Sequence, residues 1–140
     1  MRDRFFLDTN IFVYTFDLRE EKKSKIAEDL IDKALSTGKG VVSFEVIQEF
    51  FNVAFRRFAK PLSTADAAQY LVSVFSPLLS VHSSAALYSE ALRLHDRYRL
   101  SWYDSLIVAA AVQAQCDFVM TEDLQHGQRF GNLQVVNPFL

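Results

Sequence analysis

The sequence predicts an α/β fold of three layers, in which helices cover both faces of a central, mostly parallel sheet of about five short strands. Short apolar runs alternate along the chain with segments of helical pattern, and this alternation is typical of parallel sheets. The 140 residues, half of them hydrophobic and 13 of them Phe, provide enough apolar surface for one packed core. We therefore expect a single domain covering residues 1–140.

The strands are predicted from short apolar runs. Phe5–Leu7 is apolar throughout, as expected for a strand that is covered on both faces. Pro138 closes off the last strand. In chain order the predicted strands are Phe5–Leu7, Val41–Val42, Leu79–His82, Phe118–Thr121 and Gln134–Val136.

The helices are predicted from their start and stop signals. Serines stand at the expected N-cap positions of three of them, namely Ser43, Ser83 or Ser84, and Ser101. Glycines (Gly38 and Gly40) stop the first helix, and prolines (Pro61 and Pro77) follow the second and third. In chain order the predicted helices are Asn10–Leu35 with a break near Asp17–Glu20, Phe44–Phe58, Thr64–Phe75, a helix that ends near Tyr98, and Trp102–Gln115.

Composition argues against a membrane protein and against a disulfide scaffold. The longest apolar run, Leu106–Val112, is far shorter than a membrane span, and the first residues lack the apolar stretch of a signal peptide. Cys116 is the single cysteine, so it has no partner within the chain and is expected to be a small buried residue. A reducing cytoplasm is the expected location.

The net charge of −2 is not that of a general nucleic-acid binder, which would be strongly basic. Any phosphate contacts would have to come from local basic clusters. Each cluster is more often the solvated face of a helix, so this signal is weak. They are Lys22 with Lys23 and Lys25, Arg56 with Arg57 and Lys60, and Arg93 with Arg97 and Arg99.

Chain direction places several acids at one edge of the sheet. Asp8 directly follows the first strand, and Asp123 follows the fourth by two residues. The helix that contains Asp104 must deliver the chain to the start of the fourth strand, so its first turn lies at the opposite, carboxyl edge. A helix beginning right after the second strand carries Glu45 and Glu49 in its first two turns. In parallel sheets, sites form at this edge.

Such a cluster of acids indicates a bound cation. Two carboxylates about 6 Å apart repel by roughly 3 kcal/mol at an effective dielectric near 20. Repulsion of this size either raises pKa values or requires a cation. Oxygen ligands favour Mg²⁺ or Mn²⁺ over zinc, and the three histidines, His82, His95 and His126, show no metal-binding spacing.

Each acid also has a local explanation without metal. Asp104 completes a capping box with Ser101. Glu49 belongs to a polar helical stripe, Asp8 could start a helix, and Asp123 could lie in a loop turn. The metal hypothesis rests on the combination, because these explanations would have to coincide at one edge.

Four short motifs contain these acids in a fixed order along the whole chain. The first is an apolar strand that ends in Asp8-Thr9-Asn10. The others are Val42-Ser43 followed by Val46-Ile47-Gln48-Glu49-Phe50, Ser101-Trp102-Tyr103-Asp104-Ser105-Leu106-Ile107 before an Ala-rich helix, and Phe118-Val119-Met120-Thr121-Glu122-Asp123-Leu124.

This ordered set resembles the PIN domain, specifically the VapC-like toxin ribonucleases of prokaryotic type II toxin–antitoxin pairs. In the resemblance, Glu49 is the acid of the second motif and Asp123 is the fourth acid. The family often has an aromatic or similar apolar residue a few positions after the fourth Asp. This chain departs from that pattern, because Leu124-Gln125-His126-Gly127 intervenes before Phe130. Glu122 therefore competes with Asp123 for the fourth position.

The resemblance implies metal-dependent endonucleolytic cleavage of structured RNA such as transfer or ribosomal RNA. It assigns Mg²⁺ or Mn²⁺ to four ligands: Asp8, Glu49, Asp104 and Asp123. Asn10 and Thr121 would orient these ligands. It also implies a homodimer and a cognate antitoxin protein that obstructs the acidic site.

Three residues are weaker candidates for contacting the RNA. Trp102 and Tyr103 could stack on an unpaired base, although core packing explains at least one of them, and Arg56 could contact a phosphate. Two other functions stay open. One is a phosphotransfer or phosphatase domain with Asp8 as its nucleophile, and the other is an inactive PIN fold that acts as a binding module. The target RNA, the number of metal ions and the oligomeric state cannot be read from the sequence.

Overall fold

A computed structural model describes residues 3–140 and contains a six-stranded sheet in the order β3-β2-β1-β4-β6-β5. Adjacent strands pair in parallel except β5, which pairs antiparallel to β6. The mostly parallel α/β fold is thus confirmed, with six strands instead of about five. The strands are β1 Phe5–Leu7, β2 Gly40–Ser43, β3 Leu79–Val81, β4 Phe118–Met120, β5 Arg129–Phe130 and β6 Leu133–Val136.

Helices cover both faces of the sheet, since consecutive residues of β1 and β2, which point to opposite faces, are all buried. The predicted break in the first helix is confirmed, because α1 and α2 are separate. The helices are α1 Thr9–Tyr14, α2 Glu21–Thr37, α3 Phe44–Arg56, α4 Thr64–Tyr70, α5 Ser76–Leu78, α6 Ala85–Tyr98 and α7 Trp102–Gln113. A π-helical turn, Leu71–Phe75, joins α4 to α5.

One predicted helix end is wrong, and one predicted cap makes no side-chain hydrogen bond. The helical segment does not end before Pro77, because Pro77 lies in the first turn of α5, where a backbone N–H is not needed. Ser43 does occupy the N-cap position of α3, but its side chain makes no capping hydrogen bond. Ser84 and Ser101 cap α6 and α7 through their hydroxyl groups, as predicted.

The core contains a cluster of aromatic rings centred on Phe50 of α3, which is fully buried. Its ring stacks on Tyr70 at a centroid distance of 5.1 Å and meets Phe75 edge-on at 5.2 Å. Cys116 is buried, as expected. Within residues 3–140, the helices are all too short or too polar to cross a membrane.

Close contact between α2 and β2 fixes where β2 begins. Gly38 ends α2 in a left-handed conformation with φ of 70°. A Cβ atom at Gly40 would lie 2.1 Å from the Cβ of Ala34, so the approach of helix and strand requires glycine there. The carboxyl end of β2 then lies beside the carboxyl end of β1.

Candidate metal centre

Asp8 forms the buried centre of the site at the carboxyl end of β1. Only 4% of its surface is exposed. One carboxylate oxygen accepts a hydrogen bond from the Thr9 N–H at 2.7 Å, and the other accepts from the Thr121 hydroxyl at 2.7 Å. The pKa of Asp8 is raised to about 7, mainly by burial and to a smaller extent by the charges of Asp123 and Glu49, although these hydrogen bonds lower it.

Thr121 and Asn10 connect Asp8 to Asp123. The Thr121 hydroxyl, which donates to Asp8, also accepts the Asp123 N–H at 3.0 Å. The Asn10 amide donates to Asp123 Oδ2 at 3.1 Å and approaches Thr121 Oγ1 at 3.3 Å. The two residues predicted to support the acids therefore hold the turn after β4 against the start of α1.

The first two turns of α3 bring Glu45 and Glu49 to the same edge. Glu45 is buried, with 6% of its surface exposed, and Glu49 is exposed. The pKa of Glu45 is raised to about 8, mainly by burial and also by the charges of Asp8, Glu49 and Asp104. Neither oxygen of Glu45 has a hydrogen-bond partner among residues 3–140.

Asp104 reaches the site from the first turn of α7. The Ser101 hydroxyl accepts the Asp104 N–H at 3.1 Å, which is the N-cap half of the predicted capping box. Burial raises the pKa of Asp104 above its ordinary value, the hydrogen bond with Ser101 lowers it, and the charges of Asp123 and Glu49 raise it. Helix capping and membership of the cluster thus coexist at this residue.

The structure brings the four predicted acids together. Together with Glu45 they form a five-carboxylate cluster with a buried floor and an exposed rim. The floor is Asp8 and Glu45, and the rim is Glu49, half-buried Asp104 and Asp123. The charged groups that most raise the pKa values of Asp8, Glu45 and Asp104 are other members of the cluster.

The donor set suits a hard divalent cation. Within the described residues, no three His, Cys, Asp or Glu side chains are already arranged around a common point at ligand distance. Mg²⁺ does not need such a cage, because it keeps several waters and takes only one or two carboxylates directly. Buried carboxylates with raised pKa values and the unpartnered oxygens of Glu45 fit such an ion.

Glu122, the competitor for the fourth acidic position, is engaged elsewhere. Its carboxylate accepts a hydrogen bond from the Tyr14 hydroxyl and forms an ion pair with Lys23 at 3.2 Å. The Lys23 ammonium lies 4.9 Å from the centre of the Tyr14 ring. Glu122 therefore joins α1 and α2 to the turn after β4. Asp123, in contrast, accepts a hydrogen bond from the Asn10 amide.

The weaker candidates for RNA contact lie at different places. Tyr103 is 65% exposed and adjoins Asp104 in the chain. Trp102 is half-buried and stacks on Tyr88 with ring centres 6.4 Å apart, so its role is partly packing. Arg56 is exposed at the last residue of α3, seven residues after Glu49 and therefore about 10 Å along the helix from it.

From the sequence, Glu45 is only an alternative to Glu49 and is not assigned to the site. The available signal was its position four residues before Glu49, on the same face of α3.

A sequence model of the PIN domain matches residues 5–129. No curated protein sequence matches the chain. Solved structures of similar fold include VapC20 of Mycobacterium tuberculosis, a sarcin-ricin loop cleaving toxin, with a TM-score of 0.60, 20% identity and coverage of 85% of this chain and 91% of that one. A toxin–antitoxin complex from Klebsiella pneumoniae has a TM-score of 0.66, 18% identity and coverage of 95% and 96%.

The FitAcB structure from Neisseria gonorrhoeae is similar over 96% of this chain and 98% of its own, with a TM-score of 0.63 and 18% identity. At these identities the similarity of structure shows a common fold. The sequence match covers 125 of the 140 residues. Because this match covers most of the chain, and because the fold agrees with that of these structures, the chain belongs to the PIN-domain family.

Proposed function

We propose that this protein is a metal-dependent endoribonuclease and the toxin of a toxin–antitoxin pair. PIN domains are nucleases, which makes hydrolysis of a phosphodiester bond the reaction class. The observation that carries the proposal is the convergence of Asp8, Glu49, Asp104 and Asp123 from four separate elements on one edge of the sheet. These four residues are proposed to hold Mg²⁺ or Mn²⁺, directly or through water.

When bound, the ion would lower the pKa of a coordinated water and neutralise charge on the phosphate. The chain itself supplies the positioning. Thr9 and Thr121 fix the two oxygens of Asp8, and Asn10 fixes one oxygen of Asp123. Because these side chains are held in the folded protein, the ligands need little rearrangement during the reaction.

Structured RNA, such as transfer or ribosomal RNA, is the proposed substrate. The similar VapC20 structure is described as a toxin that cleaves the sarcin-ricin loop. In this chain, exposed Tyr103 immediately precedes Asp104 in the sequence. Its ring offers a surface on which an unpaired base could stack beside the carboxylates. The chain's net charge of −2 suits recognition of a particular RNA shape better than general binding along its backbone.

A cognate antitoxin is the proposed protein partner. Similar structures from Klebsiella pneumoniae and Rickettsia felis contain toxin with antitoxin, the latter on a promoter DNA fragment. A homodimer is proposed on the same resemblance. Light scattering of the isolated chain would give its mass, and a neighbouring short reading frame encoding a DNA-binding protein would identify the antitoxin.

The nuclease proposal is tested by incubating total RNA with the protein and either Mn²⁺ or a chelator. The wild-type protein should cleave RNA with Mn²⁺ and lose this activity with the chelator. Asp104→Asn should abolish cleavage, because it removes a proposed ligand, while circular dichroism shows an intact fold. Asp96→Asn, which changes an exposed aspartate of α6, is the matched control and should retain full activity.

Metal-dependent cleavage by Asp104→Asn at the wild-type rate would contradict the proposed ligand set. If the wild-type protein neither cleaves RNA nor binds Mn²⁺, the chain is an inactive binding module instead. A phosphorylated Asp8, trapped after incubation with a phosphate donor, would identify the phosphotransfer alternative.

A further inference from the structure

We propose that Glu45 is a fifth carboxylate of the metal site in this chain and a direct ligand of the divalent ion, at the buried floor of the site beside Asp8. This inference rests on the proposed function, because it concerns the same ion. It goes beyond the four acids of the family resemblance, which assigns Glu49 and leaves Glu45 without a role. The carboxylate of Glu45 itself provides the first argument.

Glu45 is 94% buried, and neither of its two carboxylate oxygens has a hydrogen-bond partner among residues 3–140. Buried polar groups in folded proteins almost always have partners, and an exception points to an unseen water or ion. Protonation would not resolve the problem, because a carboxylic acid also needs an acceptor for its proton. A bound cation would satisfy both oxygens.

Glu45 lies close enough to the other acids of the cluster for their charges to raise its pKa. The charged groups that act on Glu45 are Asp8, which directly follows β1, Glu49 of α3 and Asp104 of α7. Glu45 and Glu49 are separated by one helical turn, so they lie on the same face of α3. Glu45 is the deeper of the two.

Other unpartnered polar atoms adjoin the same place. The hydroxyl of Ser43 is fully buried and makes no hydrogen bond within the described part of the chain. Extending the pairing of β1 with β2 places Ser43 beside Asp8. The hydroxyl of Thr9 and the amide oxygen of Asn10, the two residues that follow Asp8, are also unpartnered. Residues next to Asp8 in the chain and in the sheet thus also have buried oxygen atoms without partners.

The inference is tested by titrating the full chain with Mn²⁺ and following the electron paramagnetic resonance signal of the free ion, which is lost on binding. Glu45→Gln preserves the size of the side chain and removes a strong ligand. It should weaken Mn²⁺ binding by at least about tenfold. Glu28→Gln, which changes an exposed glutamate of α2, is the matched control and should bind as the wild type does.

Glu45→Asp distinguishes ligation from a general effect of negative charge. It retains the charge but withdraws the carboxylate by one methylene group, so a direct ligand should be weakened here as well. It also serves if Glu45→Gln fails to fold. Wild-type affinity in Glu45→Gln would overturn the inference, and so would wild-type affinity in Glu45→Asp.

The same titration separates this inference from the proposed function. If the wild-type chain binds Mn²⁺ and Asp104→Asn does not, the proposed metal site stands whatever the Glu45 variants do. If the wild-type chain binds no Mn²⁺ at all, the proposed function fails and this inference fails with it.

Discussion

Replacing Asp8 by Asn should change how the stability of the metal-free protein depends on pH. Asp8 is almost fully buried, and burial raises its pKa from an ordinary 3.8 to about 7. Between these pH values the folded protein keeps a proton on Asp8 that the unfolded chain has lost. The free energy of unfolding of the wild type therefore falls as the pH rises through this window. Asp8→Asn has no such proton to lose.

The size of the effect follows from the width of the window. Each pH unit between the two pKa values costs roughly 1.4 kcal/mol. Two of these units lie between pH 5 and pH 7, so Asp8→Asn should gain about 3 kcal/mol relative to wild type between pH 5 and pH 8. For a chain of this length the gain corresponds to a relative rise in melting temperature of about 10 °C.

The assay is urea denaturation with a chelator present, at pH 5 and pH 8, for wild type, Asp8→Asn and the exposed control Asp96→Asn. The constant effect of losing hydrogen bonds from Thr9 and Thr121 cancels, because only the change between the two pH values is compared. Equal pH dependence in wild type and Asp8→Asn would refute the placement of Asp8 as a buried carboxylate. Asp96→Asn should follow the wild type.

Two further substitutions test the support of the site and its core. Thr121→Val keeps the side-chain size but removes the hydroxyl that donates to Asp8 at 2.7 Å, so Mn²⁺ affinity should fall by about tenfold to a hundredfold in the resonance titration; unchanged affinity would show that this hydrogen bond does not position the ligand. Phe50→Ala removes the fully buried centre of the aromatic cluster and should lower the free energy of unfolding in urea by about 3–5 kcal/mol. Phe55→Ala, at a ring that is 44% exposed on the same helix, is its control and should cost clearly less.

The edge at which the acids meet could be predicted because chain direction is a local property. Asp8 directly follows β1, and Asp104 lies in the first turn of the helix that leads into β4. Because β1 and β4 are parallel, both residues lie at the same edge of the sheet. The same reasoning could not separate Glu45 from Glu49. The burial of each side chain depends on the elements that pack over the start of α3, and these elements are distant in the sequence.

The role of Glu122 was also beyond sequence reasoning. Its partners, Tyr14 and Lys23, precede it by about a hundred residues, and no local pattern connects them. Only the packing of α1 and α2 beside the turn after β4 brings the three side chains together. This packing leaves Asp123 as the acid that faces Asn10.

The additional strand that the sequence did not predict, β5, nevertheless had a signal in the sequence. Gly131-Asn132 separates Phe130 from Leu133, and a Gly-Asn pair between two short strands is typical of a tight hairpin. Gly131 adopts a φ of 63°, as such turns require. The two-residue length of β5 hid the strand, because it is too short to show an alternating pattern.

The central claim is that carboxylates from separate parts of the chain meet around a divalent cation. Crystals of the protein soaked in Mn²⁺ would test it by anomalous diffraction. We predict at least one strong peak, at about 2.1 Å from carboxylate oxygens, at the edge that carries Asp8 and Asp104. Crystals of the same protein that show no peak at this edge, at Mn²⁺ concentrations that support cleavage, would contradict it.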